Sequence, residues 1–174
     1  MAKKTPDAIA LLVGDHRKVA GLFKKFEKAR APQKGKLARE ICLELSVHTM
    51  IEETLFYAAL EGKVEEDTLD EAHVEHDGAK VIIADILASR AGSEFYDAKV
   101  KVLSEMIKHH VKEEEQRGGL FTQARKAKVD LVALRMQMEA SKVALAAKYK
   151  RSIPTPMVRA LRKPKVKAGK PVGG

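Results

Sequence analysis

A single cysteine, Cys42, stands in the 174 residues. One thiol excludes a disulfide framework and any multi-cysteine zinc or iron–sulfur site built within the chain. Tryptophan is absent and aromatics make up only 5%. Ala, Lys, Glu, Leu and Val dominate instead, which suits helices and argues against a β-sandwich or barrel. No run approaches the roughly 20 apolar residues of a membrane span. The short run at 9–13 breaks at Gly14-Asp15-His16 and does not read as a signal-peptide core. With a free thiol besides, the expected compartment is the cytoplasm. Acidic residues run out after Glu139. Ten of the 33 basic residues follow it, leaving 23 against 24 acidic ones before it. The net charge of +9 therefore belongs to the tail, and it gives no ground for nucleic-acid binding by the body.

What is present is helical periodicity. Apolar residues make up 45% of the chain, enough for one compact core. Thr5-Pro6-Asp7 reads as N-cap, N1 and N2 of a first helix carrying Ile9, Leu12, Val19, Phe23 and Phe26 on one stripe. Residues 31–35, with Pro32 and Gly35, read as its end. A second helix carries Leu37, Ile41, Leu45, Leu55 and Ala59 and stops at Gly62. A third carries Leu69, Ala72, Ala79, Ile83 and Ile86. Ser93 and Glu94 start a fourth, with Val100, Leu103 and Ile107, and Gly118-Gly119 breaks it. A fifth runs from Leu120 to about Tyr149, with Ala124, Leu131, Leu134 and Met138 on one face. Short links between amphipathic helices favour antiparallel neighbours. The expected fold is all-α: an up-down-up-down four-helix bundle over 1–118, an extra helix over 119–150 and a flexible Lys/Pro-rich basic tail over 151–174.

Polar residues fill the gaps in the four stripes. His16 lies between Leu12 and Val19, and His48 and Glu52 lie between Leu45 and Leu55. His76 lies between Ala72 and Ala79, and His110 and Glu114 follow Ile107. Each bundle helix thus points a histidine inward, and two add a carboxylate one turn on. Such groups in a bundle core are costly unless neutralised. Two His–Glu ion pairs would leave two histidines needing partners, whereas a metal cluster satisfies all six groups. Nitrogen and oxygen donors without sulfur disfavour iron–sulfur clusters and Cu(I). Six donors exceed what one tetrahedral zinc needs. Two histidines per ion with two shared carboxylates fit a pair of octahedral ions with open positions. Iron is the first choice, with manganese or a mixed pair as alternatives. No histidine has Glu three residues before it, as a ferritin-like diiron bundle requires, and there is no His-Glu-x-x-His zinc-protease motif.

The order Asp15-His16, then His48-Thr-Met-Ile-Glu52-Glu53, then the block from Ala72 through Glu75-His76 to Lys80, then His109-His110-Val-Lys-Glu113-Glu114-Glu115 resembles the bacterial hemerythrin-like (HHE cation-binding) family. The resemblance covers about residues 5–145. It implies a four-helix bundle around a non-haem diiron centre, bridged by carboxylates and an oxygen atom, that binds or reacts with O2, peroxide or nitric oxide. The ligands carried over are His16, His48, Glu52, His76, His110 and Glu114. Oxygen-carrying relatives place two histidines four apart on the third helix, whereas His73 and His76 here are three apart. His73 is therefore expected as a partly exposed residue rather than a ligand. One imidazole fewer favours an open or differently ligated iron over simple O2 carriage.

Helix phase turns His110 inward and His109 about 100° away from it. Glu53, Glu75, Glu113 and Glu115 are candidates to hold ligand N–H groups. Cys42 and the methionines Met106, Met136 and Met138 read as packing residues. If the centre is catalytic, peroxide disproportionation is the first expectation, since it needs no organic substrate pocket. The alternative is a non-catalytic iron or oxygen sensor, or an iron buffer, whose basic tail docks nucleic acid or an acidic partner.

Overall fold

The computed structural model describes residues 5–154, and every regular element among them is helical. Helix α1 (Ala8–Lys28) is capped by Asp7, whose carboxylate accepts the Ala10 N–H at 2.9 Å. Asp7 rather than Thr5 is the cap because its carboxylate reaches the third residue on, leaving Pro6 outside the helix. Helix α2 (Ala31–Ile51) begins where a break was expected. Pro32 sits in its first turn, where the missing N–H is one no helical bond needs. Only Ala29 and Arg30 separate α1 from α2.

Beyond Ile51 the rod continues through a π-helical turn, Glu52–Phe56, into a last α turn, α3 (Tyr57–Leu60). The Tyr57 N–H reaches back five residues to the Glu52 carbonyl. The extra residue in the turn rotates everything after it. Leu55 and Ala59, expected inward on a continuous α-helical stripe, are only half-buried, while Phe56, Tyr57 and Leu60 fill the core. Gly62, at φ +69, ends the rod.

Helix α4 (Glu66–Ala88) follows, then α5 (Tyr96–Glu115). α5 starts two residues after the expected Ser93-Glu94, because Phe95 takes the left-handed conformation at φ 63 and turns the chain into the helix. The single fifth helix expected over 120–149 is two: α6 (Leu120–Lys126) and α7 (Leu131–Arg151). Asp130 makes the break by capping α7, its carboxylate accepting the N–H groups of Val132 and Ala133.

α1 packs on α2, α2 on α4, α4 on α5 and α5 back on α1, which closes a four-helix bundle. α6 packs on α5, and α7 lies against α1 and α2. Asp7 ties this addition down: Arg125 donates to its carboxylate at 2.7 Å and Arg135 to its carbonyl. Two apolar clusters result. One joins Leu12, Ile51, Phe56 and Tyr57 to Leu120, Phe121 and Met138. The other joins Phe23, Phe26, Ile41 and Cys42 to Ile83 and Leu103. Met136, expected to pack, is exposed; the stripe of α7 turns Leu134 and Met138 inward instead. None of the described helices is long and apolar enough to cross a membrane. Most of the expected basic tail, from residue 155 on, lies outside the described residues.

The corner after α5 is tight. A Cβ at Gly119 would stand 2.1 Å from the Glu113 carbonyl oxygen, whereas one at Gly62 meets nothing within 4 Å. Gly119→Ala is expected to destabilise by about 1–3 kcal/mol through overpacking against backbone. Gly62→Ala should cost only the left-handed penalty of about 1 kcal/mol. Thermal melts should show the larger fall for Gly119→Ala; equal falls would contradict the corner's geometry.

Candidate metal centre

The layer between the two apolar clusters holds the polar side chains. His16, from α1, and His48, from α2, bring their rings to 4.9 Å between centroids. His76, from α4, and His110, from α5, come to 4.6 Å, with their Nε2 atoms 3.1 Å apart. All four are buried, as are Glu52 and Glu114. Each carboxylate reaches from one histidine pair to the other. Glu52 Oε2 is 2.9 Å from His48 Nε2 and 3.5 Å from His76 Nε2. Glu114 Oε2 is 3.5 Å from His16 Nε2 and 3.6 Å from His110 Nε2. Donor atoms of His16, His48 and Glu52 lie close enough to hold one ion, and those of Glu52, His76 and His110 to hold another. The structure thus brings together all six residues singled out in the sequence.

The far side of each ring explains its orientation. The Nδ1 of His16 lies 2.7 Å from Glu115, that of His110 2.7 Å from Glu75, and that of His76 3.2 Å from Glu53. His48 Nδ1 faces Asp15 at 3.6 Å. A carboxylate at Nδ1 keeps the proton there and turns the Nε2 lone pair inward. The Nε2 atoms of His76 and His110 face each other at 3.1 Å across the same space, where one proton or one cation can lie between them. His16 Nε2, His48 Nε2, both oxygens of Glu52 and Glu114 Oε2 are buried without a well-directed hydrogen bond among the described residues, His48 and Glu52 meeting as an ion pair at 2.9 Å. Buried polar atoms are seldom left so. Nitrogen and oxygen atoms aimed at one space and unsatisfied by the protein fit a pair of cations.

Without cations, the charges sort themselves within the layer. Burial works against a charge on His48, but Glu52 and Asp15 outweigh it and raise its pKa to about 10. Burial, with the His48 charge beside it, lowers His16 to about 4. Burial and the neighbouring Glu52 push Glu114 up to about 8. The outer carboxylates go the other way. Burial disfavours the charge on Glu53, yet His76 and Lys80 bring its pKa down to about 2. Glu75 is lowered too, against its burial, by His110. Lysines complete the shell: Lys80 donates to Glu53 at 2.6 Å, and Lys142 of α7 pairs with Asp15.

Tyr57 was not visible in the sequence as part of this site. It is fully buried, and its hydroxyl donates to Glu114 Oε1 at 2.9 Å and lies 3.5 Å from His76 Nε2. Burial, then Glu114 and Glu52, raise its pKa well above the usual phenol value, so the proton stays on the oxygen. An α-helical count puts residue 57 off the inward stripe; the π turn places it there. Asp15 was legible only as half of an Asp-His pair, yet it serves His48 rather than its neighbour. Glu53, Glu75 and Glu115 take the supporting positions expected of them. Glu113 does not: it faces the exposed His109 at 3.5 Å. His73 is half-buried, packs edge-on against the Tyr57 ring at 5.0 Å and is not among the converging donors.

Cys42 is buried in the lower cluster, and burial pushes its thiol up to about 12. The native protein should not react with a disulfide reagent at pH 8 and should react fully once unfolded; fast native labelling would contradict the packing. A second expectation concerns stability in metal-free protein. Folded His48 and Glu114 keep protons up to about pH 10 and 8. Unfolded, they release them near pH 6.5 and 4.5. The folded state therefore binds more protons above neutrality, and its stability falls as pH rises from 7 to 9. Melting temperatures in chelator over that range test the sign.

The chain is similar to known proteins over most of its length. The family model described as the Hemerythrin HHE cation binding domain matches residues 7–117. No curated protein sequence matches. Among solved structures, the fold resembles a hemerythrin HHE cation binding domain-containing protein, the Rv2633c homolog from Mycobacterium kansasii. The TM-score is 0.73 at 22% identity, over 90% of this chain and 99% of that one. With the family model spanning well over half of its residues, this chain belongs to the hemerythrin HHE cation-binding domain family.

Proposed function

We propose that the protein is a non-haem diiron protein that binds or reacts with O2, peroxide or nitric oxide. His16 and His48 would hold one iron, His76 and His110 the other, and Glu52 and Glu114 would bridge the two. The observation that carries this is the span of the two carboxylates, each within 3.6 Å of one histidine from either pair. Four imidazoles and two carboxylates without sulfur suit iron, with manganese as the alternative metal. A pair of irons so held supplies open coordination positions and a redox couple spread over two ions.

The chain's own residues set the conditions for that chemistry. The carboxylates at Nδ1 fix each imidazole and raise its basicity. Tyr57 holds Glu114 in place by donating its hydroxyl proton. The apolar clusters above and below exclude water from the layer. The enclosed space among the four imidazoles is about 10 Å³, bounded also by Leu45, Ile107 and Val111. That is about the room one water needs, which leaves no place for an organic substrate beside the ions. A free, buried thiol agrees with a reducing compartment, and we place the protein in the cytoplasm.

Elemental analysis tests the proposal. Two irons per chain are expected, with near-ultraviolet absorption appearing on oxidation of the Fe(II) protein. His48→Ala and Glu52→Ala should each bind less than two ions, while His73→Ala should keep two. One zinc per chain and nothing else would overturn the assignment. Addition of peroxide then separates the two uses: rapid decay shows turnover, and its absence favours sensing or iron buffering. Tyr57→Phe should keep two ions and lose about 1 kcal/mol of stability, the worth of one hydrogen bond. Unchanged stability in that variant would contradict the bond to Glu114.

A further inference from the structure

We propose that small ligands reach the centre through the seam between α1 and α5, and that Ile107 and Val111 set what passes. The inference rests on the diiron reading for its destination, and on three adjoining cavities for its path. The innermost is the 10 Å³ space among the four imidazoles, whose walls include neither Glu52 nor Glu114. The route therefore meets the centre on its histidine side. The second cavity, about 180 Å³, shares His16, Ile107 and Val111 with the first; Ala20 and Phe23 line it further out, and Lys24, Glu27 and Lys108 form its exposed rim. The third is a surface groove of about 310 Å³ that shares Phe23, Glu27 and Ser104 with the second. Groove, cavity and centre thus adjoin one another in series along one helix pair, each sharing walls with the next.

The chemistry of the walls selects the traveller. Phe23, Ile107 and Val111 make the inner part of the middle cavity apolar behind a charged rim of Lys24, Glu27 and Lys108, so that part favours small neutral molecules over hydrated ions. Its inner end gives onto the ions' own site, a space the size of one water, so only the smallest molecules can approach it. Ser104 stands where the groove meets the cavity. Its hydroxyl is buried, at 3% exposure, with no hydrogen-bond partner among the described residues. An unsatisfied hydroxyl at that junction offers a hydrogen bond to a polar molecule such as peroxide before it enters the apolar section. The remaining described cavities open elsewhere: one lies over the outer surface of α1 and α6 and another over Glu75 and His109.

Two measurements test the route. Crystals of the protein as isolated, pressurised with xenon, should show the gas between Phe23, Ile107 and Val111, since xenon enters apolar cavities of this size. Ala20 is exposed at the rim, so Ala20→Trp can fill the cavity without repacking the core, and it should exclude the gas. In the iron-loaded, reduced protein, stopped-flow mixing with nitric oxide reads both rates. Ala20→Trp should slow association and dissociation tenfold or more and by the same factor, leaving Kd and iron content unchanged, and Val111→Ala, which widens the inner end, should speed both. A ligand contact, by contrast, would shift Kd. Wild-type rates in the iron-replete Ala20→Trp variant, or no xenon in the cavity, would overturn the proposal. If the wild-type protein carries no iron pair, the proposed function fails, and the xenon result alone decides whether the cavity admits small apolar ligands.

Discussion

Six ionisable side chains occupy one layer between two apolar clusters, and the rest of the structure answers the cost of putting them there. Isolated charges in such a place are prohibitive. Here each imidazole has a carboxylate behind it, and two of those carboxylates have a lysine behind them in turn. The layering alternates sign from the surface inward, and at its centre His16 Nε2, His48 Nε2 and oxygens of Glu52 and Glu114 are left without a directed hydrogen bond. Those atoms are the ones that converge. A bundle that neutralised them with its own hydrogen bonds would have no capacity left for a cation.

This arrangement also accounts for the added helices. α6 contributes Phe121, whose ring stacks on His16 at 5.8 Å and meets Phe56 edge-on. α7 contributes Lys142 to Asp15, and through it to His48. The helices beyond the four-helix ring therefore hold two of the inward histidines from behind. Their own attachment depends on Asp7, which caps α1 and binds both Arg125 and Arg135. One residue at the start of the chain's first helix thus couples helix capping, tertiary docking and the geometry of the site.

Much of this was legible in the sequence because it is written in α-helical periodicity. His16, His76 and His110 continue apolar stripes at three- and four-residue steps, and their helices are regular where they stand. The supporting Glu53, Glu75 and Glu115 were recognisable as neighbours of those positions. What escaped follows a different rule at each point. Asp130 and Asp7 are caps whose claim rests on side-chain hydrogen bonds rather than on pattern. Residues 31–35 contain a proline and a glycine that punctuate a loop as readily as a first helical turn. Glu113 and Glu115 sit two apart on the same exposed helix end, and only the packing of α1 decides which of them meets a histidine. Tyr57 escaped for the deepest reason, since the face it occupies exists only after the helix has changed its winding.

That change of winding ties the length of the α2–α3 rod to both of its duties. Upstream of Glu52 the inward face is set by His48, and downstream by Phe56, Tyr57 and Leu60. The π turn absorbs one surplus residue, so Phe56 and Leu60 take the inward places that an unbroken α-helix would give to 55 and 59. Removing one residue within the turn would leave an ordinary α-helix with that face still inward. Straightening the turn at its full length would instead swing the aromatic end round by about 100°, taking Tyr57 from Glu114 and Phe56 from Phe121. The wide turn thus lets the rod carry one residue more than an α-helix could without parting the upper core from the donor layer.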